Sequence, residues 1–372
     1  MPKKVTTIDY LIYLIPLLLT SMSVSLIYSL VFSSEDAGLA TKQIVTGMFG
    51  IILMIIFSFL DYRSFRGLWW VFYGVTLLLL IYVDFFGKVT GGAMRWINLG
   101  IFQLQPSEVA KVSLIISFAA YFAPRFGNLK LRDYVWSIIM LIPPLLLILK
   151  EPDLGTAIIA FIIYIGVLFA SRPSKLQKGV IFSILIVIVL IFIAASANVY
   201  PFSGLLKQYQ RERVLTFIDP GRDPYCKGYN VKQAQIAIGS GGLFGKGLGR
   251  GSQSQLEYLP MPHTDFIFAG AGEALGFMGT SVIIGLLLFL VLRIYSIGRM
   301  SQDYFGVLLT NGAAAMFLGQ SVINIGMNLG LAPVTGIPLP FLSAGGTALV
   351  IYFMTLGIIQ SIYIRHKKLT FI

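Results

Sequence analysis

The stretch YLIYLIPLLLTSMSVSLIYSLVF, residues 10–32, decides the fold class because it contains no charged side chain. An α-helix needs about 20 predominantly apolar residues to cross the hydrocarbon core of a bilayer, and this run is long enough. It exceeds the apolar segment of a secretory signal peptide, and it lacks a small-residue cleavage site. We therefore expect it to stay in the protein as a transmembrane helix.

Comparable apolar runs recur along the whole chain, which is 56% hydrophobic and only 12% charged. A soluble globular protein carries about 25% charged residues, so the soluble classes are excluded. The sequence predicts an all-α polytopic membrane protein with a single domain over residues 1–372. Ten spans are predicted, at 10–32, 43–60, 68–86, 107–124, 134–149, 154–171, 179–198, 264–292, 303–329 and 342–364.

The distribution of lysine and arginine predicts the orientation of these spans. If the N-terminus is cytoplasmic, 15 basic residues fall on the cytoplasmic side and 4 in the short outer loops. By the positive-inside rule both termini are then cytoplasmic, and an even number of spans agrees. The same bias accounts for the net charge of +12 without a nucleic-acid partner. The cytoplasmic set is Lys3, Lys4, Arg63, Arg66, Arg125, Lys130, Arg132, Arg172, Lys175, Lys178, Arg293, Arg299, Arg365, Lys367 and Lys368; the outer set is Lys42, Lys88, Arg95 and Lys150.

One large external loop remains, over about residues 199–263, between spans 7 and 8. Two segments in it, 204–218 and 231–239, have the apolar spacing of short helices. The glycine-rich stretch 239–255 follows, and a mobile backbone with exposed amides suits a phosphate group. This last signal is weak when taken alone.

Two polar groupings lie at the starts of spans 4 and 6. Glu108 and Lys111 are three residues apart, so they share a helix face and can pair, with Pro106 in the first helical turn. Such a pair either neutralises itself structurally or lines a functional cavity. Asp153 follows a proline and opens span 6, where an N-cap is the simpler interpretation.

Two further groupings lie at the outer ends of the last three spans. Asp265 opens span 8 beside His263, which could hydrogen-bond to it, and a helix cap is again the structural alternative. Glu273, deeper in the same span, fits a structural hydrogen-bonding role equally well. Residues 330–349 combine three prolines with several glycines, and irregular backbone at that depth is tolerated where it lines a cavity or is buried in protein.

Several kinds of site are absent from the sequence. Two widely separated histidines and one cysteine, Cys226, provide neither a metal-ligand cluster nor an internal disulfide. There is no phosphate-binding P-loop and no GxSxG nucleophile elbow.

Five motifs in order resemble the SEDS family of peptidoglycan polymerases, the shape, elongation, division and sporulation proteins, and RodA more than FtsW. The resemblance covers nearly the whole chain. Its motifs are RWINLGIFQLQPSEVAK (95–111), EPDLGTA (151–157), YNVKQAQIAIGSGGLFGKG (229–247), SQSQLEYLPMPHTDFIFA (252–269) and GLAPVTGIPLPFLSAGG (330–346).

The chain departs from the family pattern at three positions. Met261 stands where a glutamate is usual, Ala344 where a tyrosine is common, and Glu151 where a glutamine is usual. The change at Met261 removes a loop carboxylate, so a role for a second acid there is not expected.

The resemblance implies a glycosyltransferase in the bacterial cytoplasmic (inner) membrane that polymerises lipid II at the outer face for cell elongation and shape. The 4-hydroxyl of one GlcNAc would attack carbon 1 of another unit's MurNAc, releasing undecaprenyl pyrophosphate. The family's essential aspartate falls on Asp265, and its other charged positions fall on Glu108, Lys111 and Asp153. Implied partners are the undecaprenyl-pyrophosphate-linked glycan, a class B penicillin-binding protein that acts as transpeptidase, and membrane proteins of the elongation complex.

The residue types fit this chemistry on their own terms. A sugar hydroxyl needs a base near its proton, and a carboxylate such as Asp265 serves. The departing pyrophosphate needs positive charge, for which Lys111, Arg95, Lys246 and Arg250 are the candidates, with Arg211 and Arg213 nearby in the loop. A divalent cation, Mg²⁺ or Mn²⁺, bound in part by Asp265 is an alternative source, and no other cofactor is expected. His263 completes the predicted substrate-binding set.

Two other functions use the same materials. A lipid II flippase or transporter also needs many spans, an intramembrane ion pair and broken helices. It predicts charges near mid-membrane, whereas Asp265, Asp153 and Asp84 all map to outer ends of spans. A scaffold that only recruits a transpeptidase predicts that Asp265→Asn leaves growth unchanged.

Overall fold

The computed structural model describes residues 8–31, 38–90, 93–98, 103–196, 208–219, 227–256, 258–259 and 261–366. Within them the chain is almost entirely helical. The helices are α1 Tyr10–Val31, α2 Gly38–Phe59, α3 Arg63–Gly67, α4 Trp69–Phe86, α5 Pro106–Phe122, α6 Leu131–Lys150, α7 Leu154–Ala170, α8 Lys175–Ser196, α9 Gln208–Ile218, α10 Lys227–Ser240, α11 Ser252–Gln255, α12 Ile267–Met300, α13 Tyr304–Asn328 and α14 Gly346–Ile364.

The ten predicted spans correspond to α1, α2, α4 to α8 and α12 to α14. Eight of these helices are long and apolar enough to cross a membrane, while α5 and α7 have 17 residues each. The prediction of an all-α polytopic membrane protein with about ten spans is confirmed. Pro106 occupies the first turn of α5, where its missing N–H costs nothing.

Burial separates a central group of helices from a peripheral one. Helix α5 is buried on almost every face, packed against α4, α7 and α13, and α14 packs along α2. Helix α8 by contrast exposes large apolar side chains such as Phe182 and Leu190. Apolar surface of that kind is stable against lipid. The polar residues of the bundle therefore concentrate in its centre and at its ends.

Helix α12 is interrupted at Gly276, whose φ of 68° lies in the left-handed region that favours glycine. In a continuous helix the N–H groups of Phe277 and Met278 would donate to the carbonyls of Glu273 and Ala274. Here those N–H groups donate to Gly242 and Leu243. The two carbonyls accept instead from Lys246 and Gly247. The glycine-rich segment therefore completes the hydrogen bonding of the span.

A small sheet and the segment before α14 lie beside the bundle and are not helical. A small antiparallel sheet, absent from the sequence prediction, has the order β1 (Lys88–Thr90), β2 (Ala93–Asn98), β3 (Gln103–Leu104). The segment between α13 and α14 is irregular, yet Leu339 and Leu342 in it are fully buried, as expected for irregular backbone enclosed by protein. In the external loop, α9 and α10 confirm the two predicted short helices, although residues 204–207 lie outside the described part.

Candidate active site

Asp265 lies in the turn that leads into α12, and its side chain does not cap that helix. The N-cap position is Phe266, and it makes no side-chain capping hydrogen bond. The backbone carbonyl of Asp265 accepts hydrogen bonds from the side-chain amides of Asn324 and Asn328, each at 3.1 Å. Both asparagines are fully buried in α13. The two asparagines therefore fix the backbone of this turn and leave the carboxylate available.

The carboxylate of Asp265 is only partly exposed, and it receives no hydrogen bond from the described residues. Gly336 approaches it closely, since a Cβ at this glycine would lie 3.5 Å from Oδ2. Burial raises the pKa of Asp265 above its ordinary value; the positive charge of Arg213 opposes this effect, while Asp153 adds to it and Arg95 opposes it. A carboxylate with a raised pKa is a stronger base.

Arg213 places a positive charge beside this carboxylate, a role that the sequence prediction left open among several basic loop residues. Its Nη1 donates to the carbonyl of Thr335 at 3.2 Å, in the irregular segment before α14. Helix α9 of the external loop is thereby joined to the same turn that carries Gly336. The catalytic candidate thus lies between two separate parts of the chain.

Asp153 is the N-cap of α7, which is the simpler of its two interpretations. Its Oδ1 accepts from the Thr156 amide at 3.0 Å, and its Oδ2 accepts from the Thr156 hydroxyl at 2.9 Å. Gln105 and Ser107, at the start of α5, reach the same Oδ2 at 3.2 and 3.4 Å. Asp153 therefore ties the N-terminal ends of α5 and α7 together near Asp265.

Arg95 is fixed against the turn before Asp153. Its Nε donates to the carbonyl of Glu151 at 2.8 Å, and its Nη2 donates to that of Pro152 at 2.5 Å. Arg95 belongs to strand β2, so the sheet that was not predicted positions this side chain at the site. Two of the guanidinium N–H groups therefore bond to backbone carbonyls, and the positive charge of Arg95 remains near Asp153 and Asp265.

Glu108 and Lys111 form a closed ion pair inside the bundle. The Lys111 Nζ lies 2.6 Å from Glu108 Oε2, and the two side chains are 1% and 2% exposed. The ammonium also lies 5.5 Å from the centre of the Tyr352 ring, whose hydroxyl accepts from Gln320. Neither charge points to lipid. Both side chains are buried in the first turns of α5, next to Ser107, whose hydroxyl reaches Asp153 at the start of α7.

The remaining predicted residues are spread along the segment between α10 and α12. Lys246 pairs with Glu273 at 3.0 Å, and Glu273 also accepts from the backbone amides of Gln253 and Ser254, so its role is structural. Arg250 is exposed on the glycine-rich segment. The carbonyl of His263 accepts from the Ala344 amide at 2.8 Å, which joins the Asp265 turn to the segment before α14.

Sequence reasoning missed the two asparagines that hold the Asp265 turn. Their signal was available, because Asn324 and Asn328 are four residues apart in an otherwise apolar span and thus share a face. It also missed Ser343, whose hydroxyl donates to the carbonyl of Thr264 at 2.7 Å and accepts from the Leu339 amide. Buried polar side chains in a span are costly unless bonded.

An apolar cavity of about 440 Å³ opens beside the polar site, between α2, α4, α5 and α14. Its walls carry Phe49, Phe72 and Ile351 among other apolar side chains. Leu104 and Thr347 lie at the end of the cavity nearest to Gln105, whose amide donates to the Thr347 hydroxyl and whose side chain reaches Asp153. The cavity therefore adjoins the polar site directly.

The carboxylates near Asp265 do not form a metal-binding cluster. In the part of the chain that the structure covers, no group of three or more His, Cys, Asp and Glu side chains could hold a metal ion. Asp153 is occupied by N–H and hydroxyl donors, and Glu108 by Lys111.

Solved structures with the same architecture are known. A chain of a peptidoglycan synthase complex, in which polymerization and crosslinking are coordinated, superposes with a TM-score of 0.81 at 29% identity, covering 96% of this chain and 98% of that one. The rod shape-determining protein RodA of Thermus thermophilus gives 0.70 at 25% identity, covering 96% and 97%.

Curated relatives span the full length as well. The peptidoglycan glycosyltransferase MrdB of Escherichia coli K12 is 35% identical over 99% of this chain and 98% of the relative. The peptidoglycan glycosyltransferase RodA of Treponema pallidum is 33% identical over 98% and 99%. A probable FtsW of Aliivibrio salmonicida is 39% identical over 79% and 71%. The FtsW/RodA/SpoVE model, described as cell cycle protein, matches residues 4–368, and the chain therefore belongs to this family, the SEDS proteins.

Proposed function

We propose that this protein is a peptidoglycan glycosyltransferase that polymerises lipid II at the outer face of the cytoplasmic membrane, with Asp265 as the general base. The observation that carries the proposal concerns Asp265: two buried asparagines hold its backbone carbonyl, while its carboxylate has no donor among the described residues. The names of the full-length relatives MrdB and RodA support transferase activity. A role in elongation follows the RodA resemblance, and the FtsW relatives make division the alternative.

In the proposed reaction, Asp265 accepts the proton of the GlcNAc 4-hydroxyl while the oxygen of that hydroxyl attacks carbon 1 of MurNAc. The bond from carbon 1 to the pyrophosphate oxygen breaks, and undecaprenyl pyrophosphate leaves. The raised pKa of Asp265 suits this role, because a general base works best when its pKa approaches the operating pH. The neighbouring Asp153 keeps its own position through its bonds to Thr156.

The leaving pyrophosphate needs positive charge, and Arg213 and Arg95 are the cations whose charges act at Asp265. A divalent cation, Mg²⁺ or Mn²⁺, would add to this charge. It would be held mainly by the phosphates of the substrate, because Asp153 and Glu108 already have partners. Chelation with EDTA tests this, since a rate that falls and returns with Mg²⁺ or Mn²⁺ supports the ion and an unchanged rate excludes it.

The apolar cavity beside the polar site suits the isoprenoid chain of the substrate. Burial of apolar surface in it supplies binding energy of about 25 cal/mol per Å². Its outer end meets Gln105 and Asp153, so a bound lipid would place its pyrophosphate near the basic residues. Thr76→Trp, which fills this cavity from α4, should raise the KM for lipid II more than it lowers kcat.

The rival function, a lipid II flippase, requires a charged path through the membrane. The cytoplasmic ends of the spans are tied by ion pairs such as Asp9 with Arg293 and Arg63 with Asp303, and Glu108 is closed against Lys111. The deciding experiment is polymerisation of lipid II by the purified protein with its partner, wild type beside Asp265→Asn. Absence of polymer together with transfer of lipid II across vesicles would favour the flippase.

We also propose a class B penicillin-binding protein as the partner, bound along α12 and α13. One of the solved structures similar to this chain is that of a peptidoglycan synthase complex. A second apolar cavity of about 410 Å³ lies between these helices, and Val322 on its wall is 61% exposed. Val322→Arg should abolish co-purification with the transpeptidase in lipid nanodiscs, whereas Val189→Arg on the exposed face of α8 should not. Equal polymerisation rates with and without the transpeptidase would contradict coupling.

A further inference from the structure

Glu151 is a buried carboxyl group in the turn between α6 and α7, and the reaction outlined above does not use it. Its side chain is 3% exposed, and neither carboxylate oxygen has a hydrogen-bond partner within the residues described. An ionised carboxylate in that setting loses its hydration and gains no hydrogen bond in return, which is strongly unfavourable. The neutral carboxylic acid avoids most of this cost.

The charged groups around Glu151 do not compensate for the burial. Asp153, two residues on, is a like charge that is held in place as the α7 cap. Arg95 on β2 is the one opposing charge acting on it, yet two of its donors are directed to the backbone carbonyls of Glu151 and Pro152. Asp84 on α4 adds a further negative charge and is paired with Lys150.

These surroundings raise the pKa of Glu151 from 4.5 to about 8, through burial first and the charge of Asp153 second. Because the folded-state pKa is the higher one, the folded protein holds a proton that the unfolded chain releases. The associated stability is complete below the unfolded value and is lost as the pH rises through about 8.

We infer that Glu151 is a positioning residue that carries a proton in the working enzyme and keeps Arg95 and Asp153 in the arrangement that the substrate's pyrophosphate meets. This inference rests on the proposed function for its effect on rate, although the proton itself does not. Loss of the proton places a second negative charge beside Asp153. It also draws the guanidinium of Arg95 away from the two carbonyls that define the turn, and it repels the incoming pyrophosphate.

The first test measures the proton without any activity. Thermal unfolding of wild type and Glu151→Gln is compared in nanodiscs from about pH 6 to about pH 9, with Glu212→Gln on the exposed face of α9 as control. The variant's advantage in the folding equilibrium should grow by up to tenfold per pH unit and level off above about pH 8. Glu212→Gln should follow wild type throughout. A constant difference between Glu151→Gln and wild type across this range overturns the inference.

The second test is spectroscopic and applies even if the glutamine variant folds poorly. Infrared difference spectra of wild type should contain the C=O band of a protonated carboxyl at neutral pH, and titration to about pH 9.5 should remove it. Glu212→Gln should keep this band and Glu151→Gln should lack it. The same band in both variants would assign the proton to another acid.

The third test is the pH profile of lipid II polymerisation. The wild-type rate should fall by up to tenfold per pH unit above about pH 8, mainly through KM, while Glu151→Gln stays active to higher pH. Superimposable profiles would overturn the positioning role. If wild type makes no polymer at any pH, the proposed function fails, and the unfolding and infrared results still decide whether Glu151 holds the proton.

Discussion

Asp265 and Glu273 are two acids eight residues apart on one segment, and the protein treats them in opposite ways. Glu273 is fully buried and accepts from Lys246, from two backbone amides and from the Ser254 hydroxyl. Asp265 keeps some exposure and has no donor to its carboxylate among the described residues, although its backbone is held by two asparagines. A satisfied acid stabilises structure, whereas one positioned through its backbone with its carboxylate open is available for chemistry.

The largest effect expected from this contrast is the loss of activity in Asp265→Asn. The amide is nearly isosteric but accepts no proton, so the polymerisation rate should fall by about 10² to 10⁴-fold with unchanged thermal stability. Glu212→Gln on the exposed face of α9 is the matched control. A variant that retains more than about a tenth of the wild-type rate would remove Asp265 from the role of base.

The next effect concerns Lys111→Met, which leaves the carboxylate of Glu108 buried and unpaired. Removal of one partner of a buried pair costs about 3–5 kcal/mol, so the variant should unfold at a markedly lower temperature and lose activity with it. The double variant Lys111→Met with Glu108→Gln should recover much of that stability. Arg365→Ala, at the C-terminal end of α14, should impair activity less than Lys111→Ala; the reverse order would contradict the importance of the pair.

Glu273→Gln should lower stability and leave the rate nearly unchanged, which is the opposite of the result expected for Asp265→Asn. It weakens charge-assisted hydrogen bonds worth about 2 kcal/mol each, so stability should fall while the rate per folded molecule remains close to wild type. Unfolding midpoints and rates normalised to folded protein separate the two quantities. A large loss of rate at wild-type stability would show that Glu273 also takes part in the reaction.

The smallest effect is expected from Asn328→Ala, which removes one of the two amides that hold the Asp265 carbonyl. It also removes the acceptor for the Ala269 amide, so the turn loses part of its support. A slightly displaced base should lower kcat by about tenfold with little change in KM. Ser321→Ala on the same helix is the control, since its hydroxyl donates only to the carbonyl of Phe317.

Much of the fold was predictable because a helix that crosses lipid must have a largely apolar sequence. Each span must satisfy its backbone internally and carry apolar side chains, so hydropathy located all ten long helices. The boundaries of α12 were less accurate, since Arg293 lies inside the helix and is neutralised by Asp9, which no local pattern reveals. The small sheet was missed because its strands are short and their pairing depends on neighbours.

Prediction of the site was limited by the number of roles that one residue type can fill. Motifs identified Asp265, Asp153 and Lys246, but only contacts separate an open carboxylate from a helix cap or a salt-bridged lysine. Asn324 and Asn328 carried a readable signal that was not used. Glu151 was noted only as an unusual residue, because burial without a partner cannot be recognised in a sequence.

The exchange of hydrogen bonds at Gly276 has a consequence for the biogenesis of the protein. Residues 242–247 precede α12 in the chain, and they supply the partners for two N–H and two C=O groups inside the span. Each such group costs several kcal/mol if left unpaired in hydrocarbon. The broken form of α12 therefore depends on the docked glycine-rich segment, and we expect the N-terminal part of this helix to assemble only after that segment is in place.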